Sequence, residues 1–297
     1  MSQKIIIELG TNTMKVLHAR RTQDDWEILN ELVLPTRLGE GLQRTHLLSP
    51  QAQERNLKAV SDLVFRFSSI KDLSFDIIAT AALRHAKNTE QFIQAVKDTT
   101  GLTITLLSGK EEAKLSFLAC ARQISDKNLR LGVLDIGGGS TEFTIGHTGK
   151  IDLQISTRYG AVSLTERFFK HDPPYGNEIL ACQNYVAERV MKYKESISID
   201  KLTGVGGTLT TLVYLEEKQA FPFQTYTLKI DKILHWAETL ARMPLEKRQM
   251  LPGMMMGRAD IILAGVMILL QFIRISRSSD ILVSSQGIRH GWLYAHC

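Results

Sequence analysis

Cysteine is scarce. Three residues in 297, at 120, 182 and 297, are odd in number and far apart, which excludes a disulfide framework and lacks the spacing of a zinc site. They read as reduced thiols filling small apolar positions in a cytoplasmic protein. Long apolar runs are lacking too. Ile5-Ile-Ile7 meets a carboxylate at Glu8, well short of a signal-peptide core. The longest run, Ile261–Ile273, includes Gln271, and its length of about 13 residues is too short for a bilayer of about 30 Å. No membrane partner is expected. Nor is there a polycationic arm: residues 1–122 carry 16 basic and 14 acidic side chains, and residues 123–297 carry 20 and 17. Nucleic acid is therefore disfavoured as a partner, although the net charge of +5 suits a smaller anion. What remains, 44% apolar and 23% charged residues, is the composition of a folded chain long enough for two cores.

Ile5–Leu9 and Met14–Arg20 read as strands joined by a tight turn, Gly10-Thr-Asn-Thr13, and Trp26–Leu34 extends the same sheet. Pro50–Phe67 and Thr89–Thr99 read as helices, with Phe75–Thr80 and Leu102–Leu107 as strands between and after them. This alternation indicates a mixed α/β sheet. A helix follows from Ser108 to about Ile124, with Glu111 and Glu112 in its first turn. After the polar break Ser125-Asp-Lys-Asn128 a strand restarts at Arg130–Ile136. Further on, Ala161–Lys170, Asn177–Ile197 and Leu209–Lys218 have helical spacing, and Gly257-Arg-Ala-Asp260 opens the long apolar helix.

The most informative feature is an internal repeat. Ile6-Ile-Glu8-Leu-Gly10-Thr-Asn-Thr13-Met-Lys-Val aligns without gaps on Val133-Leu-Asp135-Ile-Gly137-Gly-Gly-Ser140-Thr-Glu-Phe. Each copy ends a buried strand in an acid, turns through glycine to a hydroxyl, and enters a second strand. Both copies stand first in an α/β region, so two related halves are expected.

Gly137, Gly138 and Gly139 allow successive backbone N–H groups to converge on one concavity, which suits phosphate oxygens. The hydroxyls of Thr11, Thr13, Ser140 and Thr141 add donors, with Gly10 and Asn12 completing the first turn. Glu8 or Asp135, at a strand end, repels phosphate but can hold Mg²⁺ or another divalent cation. Gly206, Gly207 and Thr208 form a third glycine turn between a strand at Lys201–Thr203 and a helix. The alternative at each turn is an ordinary hairpin or strand-to-helix connection.

These segments resemble the phosphate and adenosine loops of the actin, sugar kinase and heat-shock ATPase superfamily. Leu38-Gly-Glu-Gly-Leu42, Thr80-Ala-Ala-Leu-Arg-His-Ala-Lys-Asn88, Ser108-Gly-Lys-Glu-Glu-Ala-Lys-Leu115 and Ser285-Gln-Gly-Ile-Arg-His-Gly291 narrow the resemblance to the Ppx/GppA exopolyphosphatase and guanosine pentaphosphate phosphatase family. It spans essentially the whole chain, in order. It implies two ribonuclease-H-like (actin-like ATPase) domains, each a mixed five-stranded sheet flanked by helices, with an active-site cleft between them. Residues 1–124 with a C-terminal helix at 287–297 would form the first domain and 125–286 the second. The implied reaction releases terminal orthophosphate from inorganic polyphosphate or guanosine pentaphosphate with Mg²⁺.

Glu112 matches the family's water-activating carboxylate, and such an acid beside bound phosphate can orient water for in-line attack. Its alternative is a solvated first-turn acid, the preferred reading of Glu111. Arg84 would meet charge on the transferred phosphoryl, or else form a surface ion pair. Glu142 would hold metal or water, or else face solvent, and Arg289 would cap a helix or reach phosphate.

Three positions depart from the family pattern: Glu8 for Asp, Lys114 for Arg and His290 for Glu. Glu8 and Lys114 favour weighing a catalytically weak or inactive sensor of guanosine tetra- or pentaphosphate against the hydrolase, with a kinase as a more distant reading. The resemblance is to the short two-domain form of the family, which lacks the additional helical C-terminal region of longer relatives and is expected to act with lower processivity on long polymers. A homodimer is left open.

Overall fold

The structure, a computed structural model, describes residues 2–296, so Met1 and Cys297 lie outside the described residues. The chain divides into two compact units, residues 2–109 with His296, and Lys110–Ala295. The sequence reading draws its boundary after residue 124 and gives the last helix to the first domain. By contacts, the helix that starts at the boundary and nearly all of the last helix group with the second unit.

The first unit contains β1 (Gln3–Leu9), β2 (Met14–Arg21), β3 (Trp26–Leu34), α1 (Leu42–Thr45), α2 (Pro50–Phe67), β4 (Leu73–Ala79), α3 (Ala81–His85), α4 (Thr89–Thr100) and β5 (Ile104–Leu106). The sheet runs β3-β2-β1-β4-β5, antiparallel across the first three strands and parallel from β1 to β5. Helix α2 starts where Ser49 accepts a hydrogen bond from the Ala52 N–H at 3.2 Å and Pro50 presets the first turn. Ala52, Asn56, Val60, Leu63 and Phe67 recur every three or four residues and are its buried face. That face packs with Ile5, Ile7 and Leu9 of β1. Strand alternation therefore sends Lys4, Ile6 and Glu8 to the other side of the sheet.

The second unit contains α5 (Gly109–Arg122), β6 (Leu131–Ile136), β7 (Thr141–His147), β8 (Lys150–Thr157), α6 (Ala161–Phe168), α7 (Gly176–Val190), β9 (Lys201–Val205), α8 (Gly207–Glu217), β10 (Thr225–Lys229), α9 (Ile230–Arg242), α10 (Leu245–Gln249), α11 (Ile262–Ser276), β11 (Asp280–Ser284) and α12 (Ile288–His296). Its sheet runs β10-β11-β9-β6-β7-β8. Read from β8 inward, it repeats the order of the first sheet, with β6 in the place of β1. The expected five strands become six here, because β10 pairs antiparallel with β11 at the edge. Leu134 and Ile136 face the main core with α7, α8 and α11. Leu131 and Val133 face the opposite way, onto Phe117, Cys120 and Ala121 of α5. Asp135 shares their side of the strand.

Candidate active site

The end of β6 assembles the acids of the second unit. Asp135 lies directly across from Glu142 in the β6/β7 register, so both carboxylates leave the sheet on the side of α5. Helix α5 meets them there. The Ala113 carbonyl accepts from the Thr144 hydroxyl at 3.2 Å, and the Ser116 hydroxyl donates to Asp135 Oδ2 at 2.6 Å. Glu112, one helical turn before Ser116, lies on the same face and is buried, whereas Glu111 is exposed. The solvated-acid alternative therefore holds for Glu111 and fails for Glu112. Glu142 receives two further hydrogen bonds, from Ser156 at 2.9 Å and from Ser140 at 3.3 Å.

These acids are crowded. Burial pushes the Glu142 carboxyl well above the usual carboxylate range, and repulsion from Glu112 and then Asp135 pushes it further, against the two serine hydrogen bonds. Burying like charges together is costly without a cation to balance them. Among the described residues no group of three or more His, Cys, Asp or Glu is arranged to enclose a metal ion. Mg²⁺, however, usually takes one or two carboxylates and completes its shell with water and substrate phosphate. Asp135 and Glu142 fit that demand.

The turn from β6 to β7 is closed by the Gly137 N–H donating to the Ser140 carbonyl at 3.0 Å. Gly206 lies against the same strand end, with φ +98°, a conformation that only glycine adopts without strain. A Cβ there would stand 2.7 Å from the Ile136 carbonyl oxygen and 3.2 Å from Asp135 Oδ1. The expected phosphate donors do not all converge. The Thr141 hydroxyl donates to the Tyr159 carbonyl at 2.9 Å, on the face opposite Glu142. Thr208 is buried with its side chain against Gly265 of α11.

Two contributors escape the sequence reading. Ser116 looks like any small residue in a helix, yet it holds Asp135. Arg258, named there only as part of a helix-opening segment, is buried with its guanidinium against Gly207. Its only sequence signal is a charged residue directly before an apolar helix. Arg289 and His290 are likewise buried in α12, and Lys114 is exposed.

The first unit repeats the turn but changes its charge. Gly10 N–H donates to the Thr13 carbonyl at 3.1 Å, matching Gly137 and Ser140, and Thr11, Asn12 and Thr13 are buried. Glu8 lies across from Lys15, the register equivalent of Glu142, and Lys15 Nζ stands 3.1 Å from Glu8 Oε1. The carboxylate expected to hold metal thus carries a protein cation, and on chemical grounds it fits Mg²⁺ less well than Asp135 and Glu142 do. Arg84, half-buried on α3, donates to the Leu107 carbonyl at 2.7 Å.

Residues 18–297 match the model of the Ppx/GppA phosphatase family. The chain belongs to that family. A curated relative, a bifunctional 3-dehydroquinate synthase/phosphatase of Fusobacterium nucleatum, is 30% identical over 296 residues, which is 94% of this chain and 44% of that protein. The chain thus spans less than half the length of this relative. The solved Ppx-GppA enzyme of Aquifex aeolicus is 29% identical, with TM-score 0.82 and 99% of both chains covered. An exopolyphosphatase from Cytophaga hutchinsonii is 23% identical, with TM-score 0.91 over 99% of this chain and 97% of that one, and shares the fold. In this member of the Ppx/GppA phosphatase family the buried acid group stands at the end of β6.

Proposed function

We propose that this chain is a hydrolase releasing terminal orthophosphate from inorganic polyphosphate or guanosine pentaphosphate by in-line attack of water. The observation that carries the reading is the set Glu112, Asp135 and Glu142, buried together beside the Gly137–Ser140 turn. Glu112 orients the attacking water and takes its proton at a carboxylate oxygen, the role a fixed acid performs beside bound phosphate. Gly138 and Gly139 direct backbone N–H groups to the phosphoryl oxygens, where charge accumulates. In the first unit Gly10, Thr11, Asn12 and Thr13 form a second turn of the same kind, with donors suited to phosphate, and Arg84 of that unit is a cation suited to an anion. Asp135 and Glu142 would hold Mg²⁺, oriented by Ser116 and Ser156. When bound, that ion would supply counter-charge to the carboxylates and to the phosphate oxygens.

One observation favours a second reading. The Glu8–Lys15 pair neutralises the acid of the first turn, which suits a catalytically weak sensor that binds guanosine tetra- or pentaphosphate. Incubating the protein and Mg²⁺ with each substrate and following orthophosphate separates the two. Release from either supports the hydrolase; tight nucleotide binding with no release supports the sensor and overturns it.

A further inference from the structure

The first turn of α6 is a docking site for the protein's own backbone. The Ala161 N–H donates to the Gly137 carbonyl at 2.9 Å, and the Val162 and Ser163 N–H groups donate to the Gly138 carbonyl at 2.9 and 3.2 Å. Helix N-terminal N–H groups ordinarily lack intrahelical partners, and here three of them are spent on the glycine turn. A planar trans peptide points its C=O and the following N–H in opposite directions. With the Gly137 and Gly138 carbonyls drawn into α6, the N–H groups of Gly138 and Gly139 must point away from it. The carbonyls, which would repel phosphate, are removed to the far side.

Gly160 sets how closely α6 can approach. Its φ of −152° is open to any residue, so the backbone does not demand glycine. Space does. A Cβ at Gly160 would lie 2.4 Å from the Gly137 oxygen and 2.7 Å from the Gly138 carbonyl carbon and oxygen, all backbone atoms with no side-chain freedom to yield. Ser163 fixes Gly160 in place, accepting from its N–H at 2.8 Å and donating to its carbonyl at 3.1 Å. Thr141, whose hydroxyl bonds the Tyr159 carbonyl, ties the preceding residue to β7.

The first unit repeats the device after its own third strand. There the Gly39 N–H donates to the Thr11 carbonyl and the Arg37 N–H to the Asn12 carbonyl, both at 2.9 Å. A Cβ on Gly39 would lie 2.4 Å from the Thr11 Cγ2. In both units a segment with a glycine at closest approach draws the turn's carbonyls back.

We propose that Gly160 is a positioning residue for anion binding: by letting α6 close on the Gly137 and Gly138 carbonyls, it turns the N–H groups of the glycine loop toward phosphate. The inference rests on the reading of Gly137–Ser140 as a phosphate loop. The test compares wild type, Gly160→Ala, Ser163→Ala and the control Gly176→Ala, whose added Cβ meets open space at the start of α7. Pyrophosphate binding with Mg²⁺ is measured by calorimetry, the Gly138 and Gly139 amide resonances are followed during titration, and KM, kcat and thermal midpoint are recorded.

Gly160→Ala is expected to bind at least about 10-fold more weakly, with KM raised more than kcat is lowered and the two amide shifts diminished. Ser163→Ala is expected to give a smaller loss of the same kind, and it carries the test if Gly160→Ala does not fold. Gly176→Ala should match wild type. Wild-type binding preserved in both Gly160→Ala and Ser163→Ala overturns the positioning role and leaves the phosphate loop standing. A wild type whose Gly138 and Gly139 amides ignore pyrophosphate overturns the phosphate-loop reading and this inference with it.

Discussion

Replacing Ser116 by alanine removes a hydrogen bond that α5 gives Asp135, at 2.6 Å between two buried groups. Hydrogen bonds to charged groups contribute about 1.5–3 kcal/mol, and alanine recovers about 0.5 kcal/mol in helix propensity. A net loss of about 1–2.5 kcal/mol is expected. In a unit the size of Lys110–Ala295 each kcal/mol lowers the thermal midpoint by about 2–4 °C, so Ser116→Ala should melt about 2–10 °C below wild type. The functional effect should be larger in proportion. Groups that orient a metal-holding carboxylate typically account for about 10–100-fold in metal affinity or activity. Titrating Mg²⁺ into hydrolysis assays of wild type and Ser116→Ala measures the shift in half-saturation, and Ser116→Thr, which keeps the hydroxyl, should restore it in part. An unchanged Mg²⁺ dependence with an unchanged midpoint would refute the reasoning that α5 holds Asp135 for its task.

Three further outcomes follow from individual environments. Burial pushes the Cys182 thiol up to about 12 and the Cys120 thiol further still, so both stay protonated when folded. Thiol labelling at pH 8, mapped by mass spectrometry, should spare both sites until denaturant is added, and stability should decline as pH rises past the free thiol's value of about 8.5. Native-state labelling at either site would contradict this. Burial lowers the His18 imidazole, whose Nε2 sits 2.7 Å from Gln3 Oε1. Below about pH 6.5 the unfolded chain therefore takes a proton that the folded one resists, and stability falls with acidity. Melting His18→Gln at pH 7.5 and 5.5 should show part of this dependence gone; an identical acid loss in the variant would contradict it. Lys15→Ala strips the cation from buried Glu8, and because Lys15 is a quarter exposed the expected cost is about 1–3 kcal/mol. Added Mg²⁺ should raise the midpoint of this variant more than that of wild type, and equal shifts would argue against Lys15 acting as the local counter-ion.

The strand-turn-strand repeat was legible because its grammar is local. An acid at a strand end, a glycine turn and a hydroxyl depend on neighbours in sequence, and the two turns superpose in hydrogen bonding as in sequence. The burial of Glu112 against the exposure of Glu111 was within reach of helical spacing, since Ser116 follows Glu112 by one turn. Thr141 was within reach as well: next to Glu142 in a strand, it must face the opposite side. Thr208 was not, because its direction is set by Gly265, distant in the chain. The sixth strand of the second sheet escaped for a similar reason. Thr225–Lys229 is short and largely exposed, and only its pairing with β11 identifies it as a strand. Gly160 reads in the sequence as an ordinary residue before a helix, and its closeness to Gly137 and Gly138 exists only after β8 has returned the chain to the turn.

The central claim, that Glu112 activates water for attack on a terminal phosphate, is tested most directly by Glu112→Gln. Glutamine keeps the shape of the side chain and removes its ability to accept a proton. Single-turnover orthophosphate release should fall by about 100- to 10,000-fold, while calorimetric affinity for the same substrate with Mg²⁺ stays within a few-fold of wild type. Release at the wild-type rate from equally bound substrate would contradict the account.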